Sequence, residues 1–550
     1  MKNLNQYEIP ANGLEGLKQN WRSDAISGFL VFLVALPLCL GISMASGFPP
    51  VAGVFTAVIG GLVVSFFRGS NLTIKGPAAG LIAIALGAVE EFGQGDMLLG
   101  YRLALATIVM AGLLQVVFGL LRSGALSDFF PSAAVHGMMA AIGIIIIAKQ
   151  CHALVGVKPE AMESLDLLGE IPHSIATMNP DIAIIGGISL LILFLLPRIK
   201  NKYVRMIPAP LAVILIAIPI GHYFGLEHEH KYLFLDNHEY TVGPRYLVTL
   251  PESLFSAITF PDFSQLFSLT SLKYIIMFSL VGSLESLLSA KAIDSIDPYK
   301  RKSNMNRDLM GVGTGNVLAG MIGGLPMISE IVRSSANISN GGKTWWSNVF
   351  HGFFLLLFVA VFPSLIHQIP LAALAALLIY TGFRLASPKE FYKTYKIGVE
   401  QLFIFLVTII VTLATDLLLG IAVGIIVKLI VHLFNGLPVK YMFKPLFSVN
   451  QNEEESEFVV DVFHSAVFSN YLLLKKSLDQ LPRKKHIVID FTNSQLIDNS
   501  VQVSLDRYKQ DYENEGGAFE IVGLENHRSF TKHEMSTRKK LEKLDDGRIV

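Results

Sequence analysis

From about residue 25 to residue 436 the chain repeats apolar segments close to the ~20 residues needed to cross a hydrocarbon layer. Spans read at about 25–46, 49–67, 103–121, 130–149, 181–197, 207–225, 272–291, 308–323, 345–367 and 369–385. The block 399–436 is too long for one crossing, and Asp416 and Gly420 divide it in two. Two shorter segments remain, near 76–91 and 328–340. Each follows a Gly/Pro break, Lys75-Gly76-Pro77-Ala78-Ala79-Gly80 in the first and Gly323-Gly324-Leu325-Pro326 in the second. Counting both gives fourteen segments, with the interrupted ones third and tenth. Divided seven and seven, each is third in its half, the pattern expected of an inverted-repeat transporter.

Composition agrees with a chain that lies mostly in lipid. Of 550 residues, 52% are hydrophobic and 16% charged, against about 25% charged in an ordinary soluble domain. Forty-four basic and 44 acidic residues cancel. No basic excess points to a nucleic-acid partner. Cys39 and Cys151 lie in apolar stretches without a metal-ligand spacing. The first 24 residues lack the apolar core of a signal peptide, so the first span is expected to stay in the protein. Placing the N-terminus in the cytoplasm puts Arg68, Arg122, Arg198, Lys200, Lys202, Arg205, Lys291, Lys300, Arg301, Lys302, Arg307, Lys343, Arg384, Lys389, Lys393 and Lys396 in cytoplasmic loops. The opposite loops hold little beyond Arg102, Lys158, Lys231 and Arg245, a strong positive-inside signal. A multi-pass protein of the plasma membrane (the inner membrane in a bacterium), with both termini cytoplasmic, is therefore expected.

After about residue 440 the pattern changes. Phe458–Val462, His486–Phe491 and Phe519–Val522 read as strands and Asn470–Leu481 as a helix, which predicts a small α/β domain. The expected division is a cytoplasmic segment 1–24, a transporter domain 25–437, a linker 438–455 and the α/β domain 456–550, whose tail from Thr531 is a loose helix or disordered.

With these motifs in order, the chain resembles the SulP, or SLC26, family of anion transporters. The resemblance rests on Asp24-Ala25-Ile26-Ser27-Gly28 with Pro37, Gly76-Pro77-Ala78-Ala79-Gly80, Glu285-Ser286-Leu287-Leu288-Ser289, and Asn316 through Pro326 followed by Arg333-Ser334. The C-terminal part is similar to a STAS domain through Ile489-Asp490-Phe491 and Leu496-Ile497-Asp498-Asn499-Ser500. The resemblance implies a core bundle and a gate bundle, a homodimer, a substrate site between the third and tenth segments, and a candidate cytoplasmic partner for the STAS domain.

A helix that begins within the membrane offers unpaired N–H groups and a positive dipole end, and so attracts an anion. Gly76, Pro77, Ala78 and Ala79 form one such end. Ser329, Glu330 and Ile331, chiefly through their amides, form the other, with the Ser329 hydroxyl as a further donor. By resemblance Arg333 lies close to the anion and balances its charge. The alternative is that glycine and proline serve only tight helix packing. Glu285 sits mid-span, where a carboxylate is a functional candidate by default. Ser289 lies one helical turn on. Together they could hold Na⁺, or Glu285 could carry a proton; a structural ion pair is the alternative. By resemblance this acidic position is tied to cation or proton coupling.

Relatives often carry a small or hydroxylic residue at Lys75, a small one at Glu330 and a glutamine where Leu38 stands. An ion pair between Lys75 and Glu330 would let both exist in a dry site and would tune substrate charge or provide a proton site; a purely structural bridge is the alternative. His222, His228, His230 and His238, with Glu227, Glu229 and Asp236, read as a solvated loop more readily than as a metal site. Ser500 resembles a serine phosphorylated in soluble STAS proteins, with a structural turn as the default. No nucleophile–base set, P-loop or dinucleotide fingerprint points to an enzyme. The expected activity is secondary transport of a small inorganic anion, bicarbonate or sulfate, by elevator-type alternating access, coupled to Na⁺ or H⁺ through Glu285. The alternatives are a dicarboxylate or nucleobase permease of the same fold, an uncoupled anion channel or exchanger, and a signalling protein with the STAS domain as output.

Overall fold

A computed structural model describes residues 9–11, 13–124, 130–161, 163–201, 207–234, 238–249, 256–452 and 457–541. Lys202, Arg205, Asp236, the side chain of His238 and residues 542–550 of the tail fall outside what it describes. The chain divides into two compact units. The first comprises residues 1–124 and 142–385, the second 125–141 and 386–550.

The first half of the membrane region runs through α1 (Gly13–Ala45), α2 (Val51–Leu62) with a 3₁₀ turn to Phe67, strand β1 (Ile74–Pro77), a short 3₁₀ turn leading into α3 (Ile82–Gly93), α4 (Met97–Leu120), α5 (Ser132–Leu154), the amphipathic α6 (Ser164–Ala176), α7 (Pro180–Leu195) and α8 (Ala209–Tyr223). A hairpin of β2 (His230–Phe234) and β3 (His238–Val242) follows. The second half holds α9 (Leu269–Ile296), α10 (Met305–Met321), strand β4 (Met327–Glu330), α11 (Ile331–Ser339), α12 (Trp346–Val361), the single turn α13 (Pro363–Ile366), α14 (Leu371–Leu385), α15 (Pro388–Ile397), α16 (Val399–Ala414) and α17 (Leu417–Phe434). Among the described residues, seven helices are long and apolar enough to cross a bilayer, and α2, α8, α12 and α16 are shorter apolar ones. With α3, α10 and α11 these make the fourteen segments expected. α1 begins at Gly13, so part of the stretch read as a separate N-terminal segment is the first helix itself.

α10, the segment read as the span 308–323, is one of the more polar membrane segments. It is accommodated by close packing on α4, where small residues let the backbones approach, as membrane helices favour. A Cβ added at Gly112 would sit 2.7 Å from the Gly313 carbonyl oxygen, and one at Gly313 would sit 2.6 Å from that of Gly112.

The third and tenth segments open with strands, a feature the sequence reading did not anticipate. β1 and β4 pair antiparallel, with Ile74 opposite Glu330, Lys75 opposite Ser329, Gly76 opposite Ile328 and Pro77 opposite Met327. A two-stranded ribbon at membrane depth leaves two edges whose polar groups need partners. Asparagines and a serine from neighbouring helices supply them. Asn316 accepts from the Met327 N–H at 2.6 Å and donates to the Met327 carbonyl and to Gln115. Asn348 accepts from the Lys75 N–H and donates to the Gly60 carbonyl and Ser65. Ser334 accepts from the Ile74 N–H, and Asn337 donates to the Leu72 carbonyl.

In the second unit, α18 (Val439–Phe443) leads to a sheet with β5 (Leu446–Asn452), β6 (Glu457–Ala466), β7 (His486–Asp490), β8 (Ser494–Ile497), β9 (Ala518–Val522), β10 (His527–Ser529) and β11 (Arg538–Lys540), with α19 (Phe468–Leu478) and α20 (Asn499–Asn514). The strand order is β10-β11-β8-β6-β7-β9, with β5 on β6. Parallel pairing of β6 with β7 and β8, and of β7 with β9, follows from the intervening helices. The core is Val460, Val462, Leu474, Ile487, Ile489, Val501, Leu505 and Phe519 with their neighbours. β5 lies inside the stretch assigned to the linker, because its residues join β6 all along its length. β11 likewise brings part of the expected loose tail into the sheet.

Replacing Asn316 by Leu strands the Met327 N–H inside the ribbon. A buried unsatisfied donor costs about 1–3 kcal/mol. The purified variant is expected to melt at a lower temperature in detergent; a melting curve equal to that of the wild type would contradict the role given to Asn316.

Candidate functional site

Facing residues of an antiparallel pair share a face, and neighbours along a strand alternate. Lys75 and Ser329 therefore lie on one face of the ribbon, and Ile74, Gly76, Ile328 and Glu330 on the other. This alternation decides the fate of the expected Lys75–Glu330 pair: it does not form. Lys75 turns instead to Asp308 on α10, with its ammonium 2.5 Å from the carboxylate, and donates to the Ser329 hydroxyl. Ser329 donates to Asp308 at 2.9 Å, and Ser286 on α9 accepts from the Ser329 N–H at 3.1 Å. All four side chains are buried. The Ser329 amide and hydroxyl, expected to serve an anion, are thus committed to this network.

The other face is built differently. Arg333, on the first turn of α11, is 1% exposed, and its Nε, Nη1 and Nη2 have no hydrogen-bond partner. It lies against Gly76, where any Cβ would collide with the guanidinium. Glu330, Cys39 on α1 and His351 on α12 are its electrostatic neighbours. His351 is fully buried with neither ring nitrogen partnered. Glu330 is the N-cap residue of α11 but makes no side-chain cap, and its Oε1 is unpartnered. The Ala79 N–H is directed at its carboxylate.

The Ala78 N–H is taken by the Pro326 carbonyl at 3.1 Å, and Pro77 is paired with Met327 in the ribbon. Ala79 begins the uncapped 3₁₀ turn ahead of α3, and Ile331 begins the uncapped α11. Glu285 on α9 is 8% exposed, its carboxylate lies where a Cβ of Gly80 would be, and its Oε2 is unpartnered. Ser289, half-buried, is one turn further along α9. Gly76, Ala79, Glu285, Glu330, Ile331 and Arg333 thus cluster at two helix starts.

Buried guanidinium nitrogens without acceptors are costly unless a charge arrives to meet them. Two uncapped helix starts add their dipoles to the same place. The arrangement suits a small oxyanion, which a planar guanidinium can bind in a bidentate manner. Cys39, His351, Ser286 and Asp308 were not singled out as site residues. A buried ionisable residue at a helix start within the apolar region was the available signal for Asp308.

A model of the Sulfate permease family matches residues 21–408, a stretch that contains every residue of this cluster. The chain belongs to that family. Its members are transporters, and the chain is accordingly not an enzyme. It is 29% identical over 396 residues to YvdB of Bacillus subtilis (strain 168), a candidate sulfate transporter, covering 71% of this chain and 69% of that one. It is 25% identical over 366 residues to the bicarbonate transporter BicA of Picosynechococcus, covering 66% of this chain and 62% of BicA. Among solved structures, the transmembrane domain of a cyanobacterial BicA matches with a TM-score of 0.60 at 24% identity, over 73% of this chain and 97% of that one. SLC26A9 matches with a TM-score of 0.65 at 14% identity, over 92% and 85%. These likenesses establish the fold: a multi-pass membrane domain of this transporter type, followed by an α/β region consistent with a STAS domain.

Ser500 lies at the start of α20, 7% exposed, and its hydroxyl accepts from the Ser132 N–H of α5 at 3.2 Å. Ser132 donates to Asn499 at 2.9 Å. Asp498 caps α20 and lies 3.5 Å from His432 and 3.9 Å from Lys428, both buried on α17. Ser500, a regulatory candidate by resemblance with a structural turn as the default, is therefore part of a packed polar contact. In the polar loop, His222 lies 3.2 Å from Glu227, and no group of three metal-ligating side chains forms among the described residues.

Asp308→Asn would leave the Lys75 ammonium buried without its carboxylate, at a cost of about 3–5 kcal/mol. Replacing both, Lys75→Met with Asp308→Leu, is expected to recover part of that loss in the melting temperature of the purified protein. A double variant no more stable than Asp308→Asn would contradict the pairing.

Proposed function

We propose that this protein carries a small inorganic anion, bicarbonate or sulfate, across the membrane by alternating access. The observation that carries this reading is the Arg333 guanidinium, buried and without acceptors, beside the uncapped starts of α3 and α11. The family match and the names of BicA and YvdB support an inorganic anion as cargo. In this reading the bundle bearing the two half-helices moves like an elevator against the remaining helices. The protein works as a homodimer in the plasma membrane, with its termini in the cytoplasm, as the distribution of basic residues supports.

Charge balance supports coupling to a cation. Lys75 and Asp308 offset one another, whereas on the other side two buried carboxylates stand against one guanidinium: Glu330 interacts with Arg333, and Glu285 with Glu330. A further anion in a low-dielectric site adds repulsion that a cation arriving with it relieves. Glu285, with Oε2 unpartnered and Ser289 one turn away, is the group proposed to receive Na⁺ or H⁺.

The test is uptake of labelled bicarbonate and labelled sulfate into proteoliposomes under an imposed Na⁺ gradient and then a proton gradient. Accumulation of one anion under one gradient is expected. Glu285→Gln is expected to abolish accumulation while leaving anion exchange across equal gradients, and Arg333→Gln to abolish both. Accumulation by Glu285→Gln at the wild-type level would remove Glu285 from coupling. Single-channel currents with no accumulation would replace the carrier by a channel.

A further inference from the structure

The Glu330 carboxylate stands where a substrate anion would stand. It is on the ribbon face shared with Gly76, beside Arg333, with the Ala79 N–H directed at it. It is 8% exposed and keeps one oxygen, Oε1, unpartnered. Ala79 belongs to the opposite half of the repeat, so the Glu330 side chain reaches across from the start of α11 to the start of α3. A carboxylate has the planar, two-oxygen shape of bicarbonate and accepts from the same donors.

We propose that Glu330 is a tethered anion that holds the start of α3 between transport events, so that an incoming oxyanion, met by the unpartnered Arg333, displaces its carboxylate from the Ala79 amide. This rests on the anion-site reading above. The charged and titratable groups around Glu330 are Glu285 from α9, Arg333 from its own helix, Cys39 from α1 and His351 from α12, while the Lys75–Asp308 pair is on the far face of the ribbon. Two consequences follow. The tether keeps the start of α3 from standing without an acceptor in an empty site. It also sets a threshold for binding, because substrate must outcompete a carboxylate held at high effective concentration. The threshold is higher for an anion that repels Glu330 more strongly, so the tether discriminates against a dianion relative to a monoanion.

The experiment is calorimetric titration of the full chain in lipid nanodiscs with sulfate and, separately, with bicarbonate, at one fixed pH and Na⁺ concentration. Glu330→Gln is expected to bind sulfate at least about tenfold more tightly than the wild type, with a smaller gain for bicarbonate. Glu330→Asp keeps the charge but is one methylene too short to hold the Ala79 amide, and it too is expected to bind sulfate more tightly. Arg333→Gln is expected to lose both anions, with or without Glu330→Gln. If Arg333→Gln loses binding but neither Glu330 variant gains, the tether is wrong and the anion site stands. A gain in Glu330→Gln with none in Glu330→Asp reduces Glu330 to a repelling charge and overturns the exchange. Should Arg333→Gln bind as the wild type does, or no variant bind either anion, the anion-site reading falls and the tether falls with it.

Discussion

Everything in the membrane region turns on a four-residue antiparallel ribbon, Ile74–Pro77 against Met327–Glu330, held within apolar surroundings. Two helices that start from this ribbon cannot have their first turns completed by preceding helix. Their N–H groups and dipole ends remain to be met by something else. Eight buried polar residues of the first unit answer to that constraint. Asn316, Asn348, Ser334 and Asn337 close the ribbon edges, and Ser286, Lys75, Asp308 and Ser329 fill one face. The other face is left with Arg333 and no acceptor of its own.

The two faces divide the labour of the site. A closed network of ammonium, carboxylate and hydroxyls stiffens the ribbon and leaves no net charge. The opposite face is open in the chemical sense, with an unpaired guanidinium, two unpaired carboxylate oxygens and the unpaired His351 ring. A fully satisfied site would have no free energy to offer a substrate. The unsatisfied groups are what an arriving anion, together with a cation, would complete.

Much of this was legible in the sequence. Fourteen segments with the third and tenth interrupted could be counted from hydropathy and the Gly/Pro breaks, and Glu285 stood out as a lone carboxylate in an apolar span. Arg333 was implied by the family resemblance, through the motif that follows Gly-Gly-Leu-Pro. The strands were not legible, because four residues are too few to display a period of two. Without the strands there was no register, and without register Lys75 and Glu330 looked like natural partners although alternation sends them to opposite faces. Asp308 was hidden at the first turn of α10, whose glycines and polar residues make it a weak span. His351 sits in an ordinary apolar helix, and a lone histidine carries no local signature. β5 was missed because Leu446–Asn452 is mixed in polarity and reads as a linker until β6 pairs with it.

The central claim is that Arg333 and the two helix starts await an anion. The most direct measurement is cryo-electron microscopy of the full chain in lipid nanodiscs, with and without a saturating concentration of sulfate or bicarbonate. The account predicts density within hydrogen-bonding distance of the Arg333 guanidinium at the starts of α3 and α11, present only with the anion, and a Glu330 side chain displaced from Ala79. An Arg333 already engaged by protein or lipid, with the anion bound elsewhere or not at all, would contradict it.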